Sequence, residues 1–412
     1  MSKNKENSKQ VDNMNYLSEE KRAKLSEVLF YVALTIELGI MLLEKSDIDR
    51  TKLSFGSLSF DTCLFYVTFA VSFLAVLIMK HDKKEWMILG AILVFVIICW
   101  RITRRNDLLR YTVFLMAAKN IDVKKVMKYI FYVSAAGFCL TVLLACSNVL
   151  GDIALPLQDY GRDGEEIRYV FGFGHPNTFY GCVYSLVLLW IWIYGEKSSL
   201  KKWMIVFFIN ICACVLTKSR TAMLISILTF AVGFLAKVIK DFREKKIVYV
   251  STAVVTPFLC VLFSVSAAIF CYMEKYEQSK KLYDVIFWLN YKLTDRISNL
   301  YYDSSSHAGY IKTWKLFSDR ASDRDFDMGW VKLFYECGIV PGIAIAAIVA
   351  LLIYICYKKK DIWTLIIILS LSIYTVVEAT FVSRYIGRLF ILPVVGVYLG
   401  EFVRGKGIEN NV

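Results

Sequence analysis

Residues 247–271 read IVYVSTAVVTPFLCVLFSVSAAIFC, twenty-five consecutive residues without a charged side chain. About 20 apolar residues are enough for an α-helix to cross the roughly 30 Å of hydrocarbon in a bilayer. Lysines lie just before this run, between 237 and 246, and a long polar segment follows it. The run therefore predicts a transmembrane helix, and its flanks predict where the chain leaves the membrane.

The same pattern repeats along the 412 residues, of which 57% are hydrophobic and only 5 are proline. Apolar runs occur at 26–43, 61–79, 86–100, 107–118, 129–147, 177–195, 203–217, 221–236, 247–271, 329–356, 362–380 and 387–402. The sequence predicts an all-α polytopic membrane protein with about 12 transmembrane helices and one large extracytoplasmic loop. The run 107–118 is short enough to be a half-helix.

Four regions follow from this pattern. Residues 1–25 are a polar, mixed-charge stretch that lacks the apolar core of a signal peptide, and they predict a disordered cytosolic tail. Residues 26–271 hold helices 1 to 9, and residues 272–328 form the large outer loop. Residues 329–412 hold helices 10 to 12 and a cytosolic end.

Basic residues orient the chain, because loops rich in Lys and Arg stay in the cytoplasm. With both termini inside, 26 Lys and Arg lie inside and 23 outside. Ten of the outer 23 belong to the long loop, and long loops contribute little to the orientation of a membrane protein. Inside, 23 of the 26 are lysine, whereas 13 of the outer 23 are arginine. Snorkelling from helix ends explains single arginines. A whole face enriched in guanidinium groups favours an anionic ligand, such as a phosphate gripped at two points.

The outer loop is rich in aromatic residues that either line the membrane surface or stack on sugar rings. They are Tyr276, Tyr283, Trp288, Tyr291, Tyr301, Tyr302, Tyr310 and Trp314. Loops of this length in a compact chain are usually functional. The sequence has no P-loop, no G-x-G-x-x-G and no metal-ligand spacing, so it predicts no cofactor and no metal. The net charge of +13 is spread over many short loops, which argues against nucleic acid as a partner.

Two motifs lie at predicted outer helix starts. The first runs from Arg168 through Gly-His175-Pro176-Asn177, where Pro176 suits the first helical position. A helix entry explains the proline, but it does not explain Arg168, His175 and Asn177 together at a membrane surface.

The second motif is the turn Lys218-Ser219-Arg220-Thr221. Ser219 is a good N-cap for the next helix. Arg220 opposes the helix dipole there, so an anionic partner such as a phosphate would explain it.

Two further motifs lie in and after the outer loop. Arg296-Ile-Ser-Asn-Leu300 spans one helical turn. Asp327-Met-Gly-Trp330 leads into Glu336-Cys-Gly338-Ile-Val-Pro-Gly342, where the chain re-enters the membrane, and Asp327 is either an N-cap or a functional carboxylate.

In this order, the four motifs resemble the bacterial polysaccharide polymerases of the Wzy type, which are grouped with the O-antigen ligases. The resemblance implies a multi-pass protein of the bacterial cytoplasmic (inner) membrane, with both termini cytoplasmic. It implies a glycosyltransferase that joins oligosaccharide units carried on undecaprenyl (polyprenyl) diphosphate into an O-antigen, capsule or exopolysaccharide. Its partners would be that lipid-linked oligosaccharide and the bilayer, with a flippase and a chain-length regulator. Ligases usually have a histidine where this chain has Asp327, which favours a polymerase.

The chemistry assigns roles to the motif residues. Arginines at 168, 220, 296 and 384 would bind the diphosphate, while Asn177 and Ser219 would position the helix entries. Asp327 or His175 would act as the general base. Histidine is better matched in pKa, and Asp327 is favoured because rim desolvation can raise a carboxylate pKa. The rival functions are an O-antigen-ligase-like transfer enzyme, a lipid-linked oligosaccharide flippase or other transporter, and a membrane acyltransferase.

Overall fold

The computed structural model describes residues 2–48, 54–55, 58–160, 164–272, 280–302, 306–319, 326–379 and 386–405. Within these residues the helices are α1 Ser2–Lys45, α2 Phe60–Ile78, α3 Lys83–Thr103, α4 Asp107–Ala117, α5 Val123–Cys146, α6 Pro176–Tyr194, α7 Leu200–Thr217, α8 Arg220–Val238, α9 Lys246–Ala253, α10 Cys260–Phe270, α11 Lys280–Lys292, α12 Arg296–Tyr302, α13 Gly329–Cys337, α14 Ile339–Lys359, α15 Ile362–Val377 and α16 Ile386–Val403. Two antiparallel hairpins pair β1 Ser54–Phe55 with β2 Leu58–Ser59, and β3 Ala154–Asp159 with β4 Glu165–Tyr169.

The prediction of an all-α polytopic membrane protein is confirmed. In the part of the chain that the structure describes, eight helices are long and apolar enough to cross a membrane. They are Glu19–Lys45 of α1, then α3, α5, α6, α7, α8, the continuous segment Lys246–Phe270, and α14. Two shorter apolar helices accompany them, Thr62–Ile78 of α2 and α15. Helix α4 has 11 residues, which fits the half-helix expected at 107–118.

Residues 2–25 belong to helix α1, which begins at Ser2 and continues without interruption into the first membrane span. The physical reason lies in the composition of this stretch. No glycine or proline occurs before Gly39, and Lys, Glu and Gln are good helix formers. The cytosolic location of this polar stretch stays a prediction.

The run 329–356 is not one helix, as the apolar pattern predicted, but two. Helix α13 ends at Cys337 and α14 begins at Ile339, with Gly338 between them at a φ of 99°. A Cβ atom on Gly338 would lie 2.7 Å from the Leu316 carbonyl oxygen. Only glycine fits this left-handed, crowded position, and the membrane span therefore starts ten residues later than the apolar run.

Hydrogen bonds between polar side chains connect the helices inside the bundle. The Tyr184 hydroxyl lies 2.7 Å from the Thr229 hydroxyl and 2.5 Å from that of Ser370, which joins α6, α8 and α15. Asn210 of α7 accepts from the Tyr180 hydroxyl at 3.1 Å. Apolar solvent offers no partner for such groups, so these bonds fix how α6 faces its neighbours.

The two ends of the bundle differ in chemistry. One end, which we call the lysine end, carries Lys119 bonded to Glu85 at 2.9 Å, and Lys237 bonded to the Glu196 carbonyl at 3.2 Å. The opposite end, which we call the arginine end, carries the start of α6, the α7–α8 turn, α12 and the end of α15. The predicted motif residues lie at the arginine end.

Candidate functional site

Six segments bring polar side chains together at the arginine end. They are β4, the start of α6, the α7–α8 turn, the start of α12, the residue two positions before α13, and the residue after α15. We call the resulting group the mouth cluster, which consists of Arg168, Asn177, Ser219, Arg296, Asp327 and Glu378.

Asn177 and Glu378 form the centre of the mouth cluster. The Asn177 side-chain N–H donates to Glu378 Oε1 at 2.8 Å, across 201 residues of sequence. Asn177 Oδ1 accepts from Arg168 Nη2 at 3.3 Å and from the Ser219 hydroxyl at 3.2 Å. One amide therefore connects an arginine, a serine and a carboxylate from three other segments of the chain.

Arg296 approaches the same carboxylate from the other side. Its Nη2 donates to Glu378 Oε1 at 2.7 Å, and its Nε lies 3.3 Å from Asp327 Oδ2. Its Nη1 donates to the Leu293 carbonyl at 3.1 Å, so the turn before α12 also orients the guanidinium. The Arg296 side chain is 10% exposed, whereas that of Asp327 is 61% exposed. The guanidinium is thus oriented by the protein while its carboxylate partner remains open to solvent.

Glu378 is the one charged residue in the apolar run 362–380. Its side chain is 15% exposed and follows directly on the last residue of α15. Desolvation raises the pKa of this carboxyl from 4.5 to about 7, although the nearby Arg296 lowers it. A carboxyl with this pKa exchanges its proton near neutral pH, which is unusual for a glutamate beside an arginine.

Sequence reasoning missed Glu378 as a site residue. The available signal was its position, because an ionisable residue within or at the end of an apolar helix is costly and is usually retained for function. The sequence motifs lie at helix starts, whereas Glu378 lies at the end of a helix.

Ser219 does not perform the predicted N-cap role. It occupies the N-cap position of α8, but its side chain makes no capping hydrogen bond. Its hydroxyl instead donates to Asn177 Oδ1 and accepts from the Thr217 hydroxyl at 2.9 Å. The backbone carbonyl of Thr217 also accepts from Arg168 Nε at 3.1 Å. The α7–α8 turn is therefore bonded to both Arg168 and Asn177.

His175 is the N-cap of α6, and Pro176 takes the first helical position as predicted. The Asn177 backbone N–H donates to His175 Nδ1 at 3.2 Å. Desolvation and the positive charge of Arg168 lower the pKa of His175, although Asp327 raises it, so the neutral ring is favoured. With Nδ1 accepting a bond, the neutral ring carries its proton on Nε2. In this arrangement the outward nitrogen is a donor rather than a base.

Asp327 is not an N-cap either, since Met328 holds that position before α13. The Asp327 carboxylate faces Arg296 instead, as the salt-bridge distance shows. The alternative interpretation, a carboxylate placed at the mouth, is therefore the one that fits the geometry.

Arg220 differs from the other arginines of the site. It is the first residue of α8 and is exposed to solvent. Among the residues that the structure describes, no hydrogen bond or ion pair to its guanidinium is present. It adjoins Ser219 of the mouth cluster, so an anion that reaches the cluster passes close to it. Arg384, the fourth predicted diphosphate-binding arginine, lies outside the described residues.

Other arginines predicted at the same end do not share one environment. Arg101 and Arg104 are exposed, which fits snorkelling. Arg110 is 2% exposed, and its Nε lies 3.3 Å from Glu37 Oε1 of α1. Its guanidinium stacks 3.9 Å from the Phe65 ring centre. Arg110 is therefore a buried intramembrane ion pair, and snorkelling is the wrong account of it.

The aromatic residues of the outer segment divide into two groups. Tyr301 stacks on His307 at 3.8 Å and Trp314 stacks on Phe334 at 5.3 Å, so these rings pack against protein. Trp288, Tyr291 and Tyr302 are 57%, 59% and 41% exposed. Tyr276 lies outside the described residues.

The fold and the site define this chain as a multi-pass α-helical membrane protein with an arginine- and carboxylate-containing mouth at one end of its bundle. No family model, no curated protein and no solved structure matches the chain.

Proposed function

We propose that this protein is a metal- and nucleotide-independent glycosyltransferase that polymerises polyprenyl-diphosphate-linked oligosaccharides at the outer face of a bacterial cytoplasmic membrane. The observation that carries the proposal is the mouth cluster, in which two oriented guanidiniums meet two carboxylates where the bundle ends. The lysine content of the opposite end supports a cytoplasmic location for that end. The order of the motifs, which resembles the Wzy-type polymerases, supports the same function.

Diphosphate binding is assigned to the arginines. Arg220 is exposed and stands at a helix N-terminus, where backbone N–H groups also favour an anion. Arg296 keeps further N–H donors beyond those directed at Glu378 and Leu293, because a guanidinium has five. Together the two can neutralise the charge that develops on a departing diphosphate. Arg168, held by Thr217 and Asn177, contributes positive potential from the side of β4.

The transfer itself needs only a base. The oxygen of an acceptor hydroxyl forms a bond to the anomeric carbon of the donor sugar. The bond from that carbon to the diphosphate oxygen breaks, and its electron pair leaves with the polyprenyl diphosphate. The hydroxyl proton passes to a carboxylate.

Asp327 is the best placed of the candidate bases. Its side chain is 61% exposed and can reach a bound hydroxyl, whereas Glu378 is 15% exposed and already accepts from Asn177 and Arg296. Glu378 is therefore assigned as a positioning residue that fixes Asn177 and Arg296. His175, with its outward nitrogen protonated, is assigned to the helix entry and to hydrogen-bond donation.

Arginine-to-lysine substitutions test the proposal. Lysine keeps the charge but loses the two-point fork, so Arg220→Lys and Arg296→Lys are expected to lower polymer production nearly as much as the alanine variants, by about tenfold or more. Polymer length and yield are measured in cells that depend on this protein. The matched control is Arg243→Lys at the lysine end, where Arg243 pairs with Glu196 at 3.2 Å. Full polymer production in both mouth variants would remove the arginine-based mechanism.

A further inference from the structure

Helix α11 lies at the level where a membrane span ends. The span Lys246–Phe270 closes with α10, and α11 follows after nine residues. The inward residues Ile286 and Leu289 of α11 belong to the same apolar cluster as Ala267, in the last turn of that span, and Cys271, directly after it. Because α11 packs on the end of a transmembrane helix, its depth is that of the membrane surface rather than of bulk solvent.

The outward face of α11 is mainly apolar and aromatic and surrounds one exposed carboxylate, that of Asp284. The exposed fractions are 53% for Val285, 50% for Phe287, 57% for Trp288 and 59% for Tyr291. Lys292 closes the last turn. Tryptophan and tyrosine concentrate where the bilayer meets water, and a lysine at the end of such a helix reaches headgroup phosphates. Exposed apolar and aromatic surface of this extent needs a cover that also accommodates the charges of Asp284 and Lys292, as a lipid headgroup region does.

Helix α11 is also rigidly joined to Arg296. The buried Asn290 side chain donates to Asp295 Oδ1 and to the Ser298 hydroxyl, each at 3.0 Å. It also accepts from the backbone N–H groups of Ile297 at 3.0 Å and Ser298 at 2.9 Å, which fixes the start of α12. The carbonyl that follows α11, that of Leu293, accepts from Arg296 itself. Any displacement of α11 therefore moves the guanidinium of the mouth cluster.

We infer that α11 is an interfacial helix whose outward face lies in the lipid headgroup and upper acyl region of the bilayer, and that this contact sets the depth of Arg296. A phospholipid surface fits the face better than a glycan does. Val285 and Phe287 offer sugar hydroxyls no hydrogen-bonding partner, and Trp288 lies across the helix from Asn290, the residue that contacts the Arg296 turn. The lipid contact is independent of the proposed function, whereas its effect on transfer rests on that function.

Photo-crosslinking in nanodiscs tests the lipid contact. Benzoylphenylalanine replaces Trp288 in the full-length protein, which is reconstituted in phosphatidylethanolamine and phosphatidylglycerol and irradiated, and adducts are identified by mass spectrometry. The matched control places the same group at Leu157 on the β3–β4 hairpin, which is also 57% exposed but has Gln158 beside it. Phospholipid adducts are expected at position 288, at least about tenfold above those at position 157.

Equal yields at the two positions would overturn the inference. So would a position 288 that crosslinks to the glycan of an added lipid-linked oligosaccharide and not to phospholipid, because the aromatic face would then be a sugar platform.

Activity supplies the second part of the test. Trp288→Glu is expected to lower polymer yield by about tenfold or more, since small displacements of a positioned group are costly in catalysis. Trp288→Phe and Leu157→Glu are expected to stay within about twofold of the unchanged protein. Lipid adducts at position 288 in a protein without polymerase activity would leave the interfacial helix standing and remove the proposed function. Full activity of Trp288→Glu would overturn the link between α11 and Arg296.

Discussion

Replacing Glu378 by glutamine tests the charge balance of the mouth cluster. Glutamine has the shape of a protonated glutamate and can still accept the hydrogen bond from Asn177. The substitution therefore removes only the ability of this position to ionise. Because desolvation raises the pKa of Glu378 to about 7, the folded protein favours the neutral carboxyl more than the unfolded chain does.

The sign and size of the effect follow from this difference. A carboxyl whose pKa is higher in the folded state contributes stability that is fully present below pH 4.5 and is lost as the pH rises through about 7. The two pKa values differ by roughly 2.5, which corresponds to about 3 kcal/mol of folding free energy once the group is ionised. The side chain is 15% exposed, so solvent screening reduces this figure only modestly.

Thermal unfolding of purified protein in nanodiscs, followed by tryptophan fluorescence, measures the effect. At about pH 4, where the carboxyl is mostly protonated in both states, the Glu378→Gln variant and the unchanged protein are expected to unfold at nearly the same temperature. At pH 8.5 the variant is expected to be more stable by about 1 to 3 kcal/mol, a shift of a few degrees. Glu196→Gln serves as the control, since Glu196 is 51% exposed at the lysine end. A Glu378→Gln variant that is less stable than the unchanged protein at pH 8.5 would show that the Arg296 ion pair outweighs desolvation.

Two further predictions concern the base and the orientation. Asp327→Asn keeps the shape and hydrogen bonding of the side chain but removes the base, so single repeat units are expected to accumulate on the lipid carrier. His175→Gln is expected to retain most polymerisation. Normal polymer from Asp327→Asn, together with loss of polymer in His175→Gln, would transfer the role of the base to the histidine. Reporter fusions ending at Lys292 are expected to show an extracytoplasmic location and those ending at Lys245 a cytoplasmic one, and the reverse result would remove the mechanism together with the topology.

Much of the fold follows from hydrophobicity alone. The run 247–271 became the continuous segment Lys246–Phe270, in which Pro257 is accommodated by a π-helical turn at Val254–Leu259. Uncharged runs of this length have one low-energy arrangement in a bilayer, because every backbone group must be bonded within the helix. The break at Gly338 did not follow, since it depends on the approach of the 316–318 backbone from another part of the chain.

Most members of the mouth cluster were predictable from the sequence, with the exception of Glu378, whereas the contacts between them were not. Sequence motifs placed Arg168, Asn177 and Arg296 at one membrane surface, and the structure brings them together. The sequence offered local capping roles for Ser219 and Asp327, and tertiary contacts replaced both. A serine or aspartate before a helix caps it only when no better partner is near. For Ser219 the better partner is Asn177, and for Asp327 it is Arg296, and neither pairing is visible from spacing.

Reconstitution of the purified protein is the decisive experiment on whether it polymerises lipid-linked repeat units. The protein is placed in phospholipid vesicles with a synthetic polyprenyl-diphosphate-linked oligosaccharide repeat unit and a metal chelator, without nucleotides, and the products are separated by size. A polymerase is expected to produce a ladder of lipid-linked multimers with release of polyprenyl diphosphate, and the Arg296→Lys protein is expected to produce no ladder. If the protein is correctly folded and the native repeat unit is supplied, repeat units that stay unchanged would contradict the proposed polymerase function.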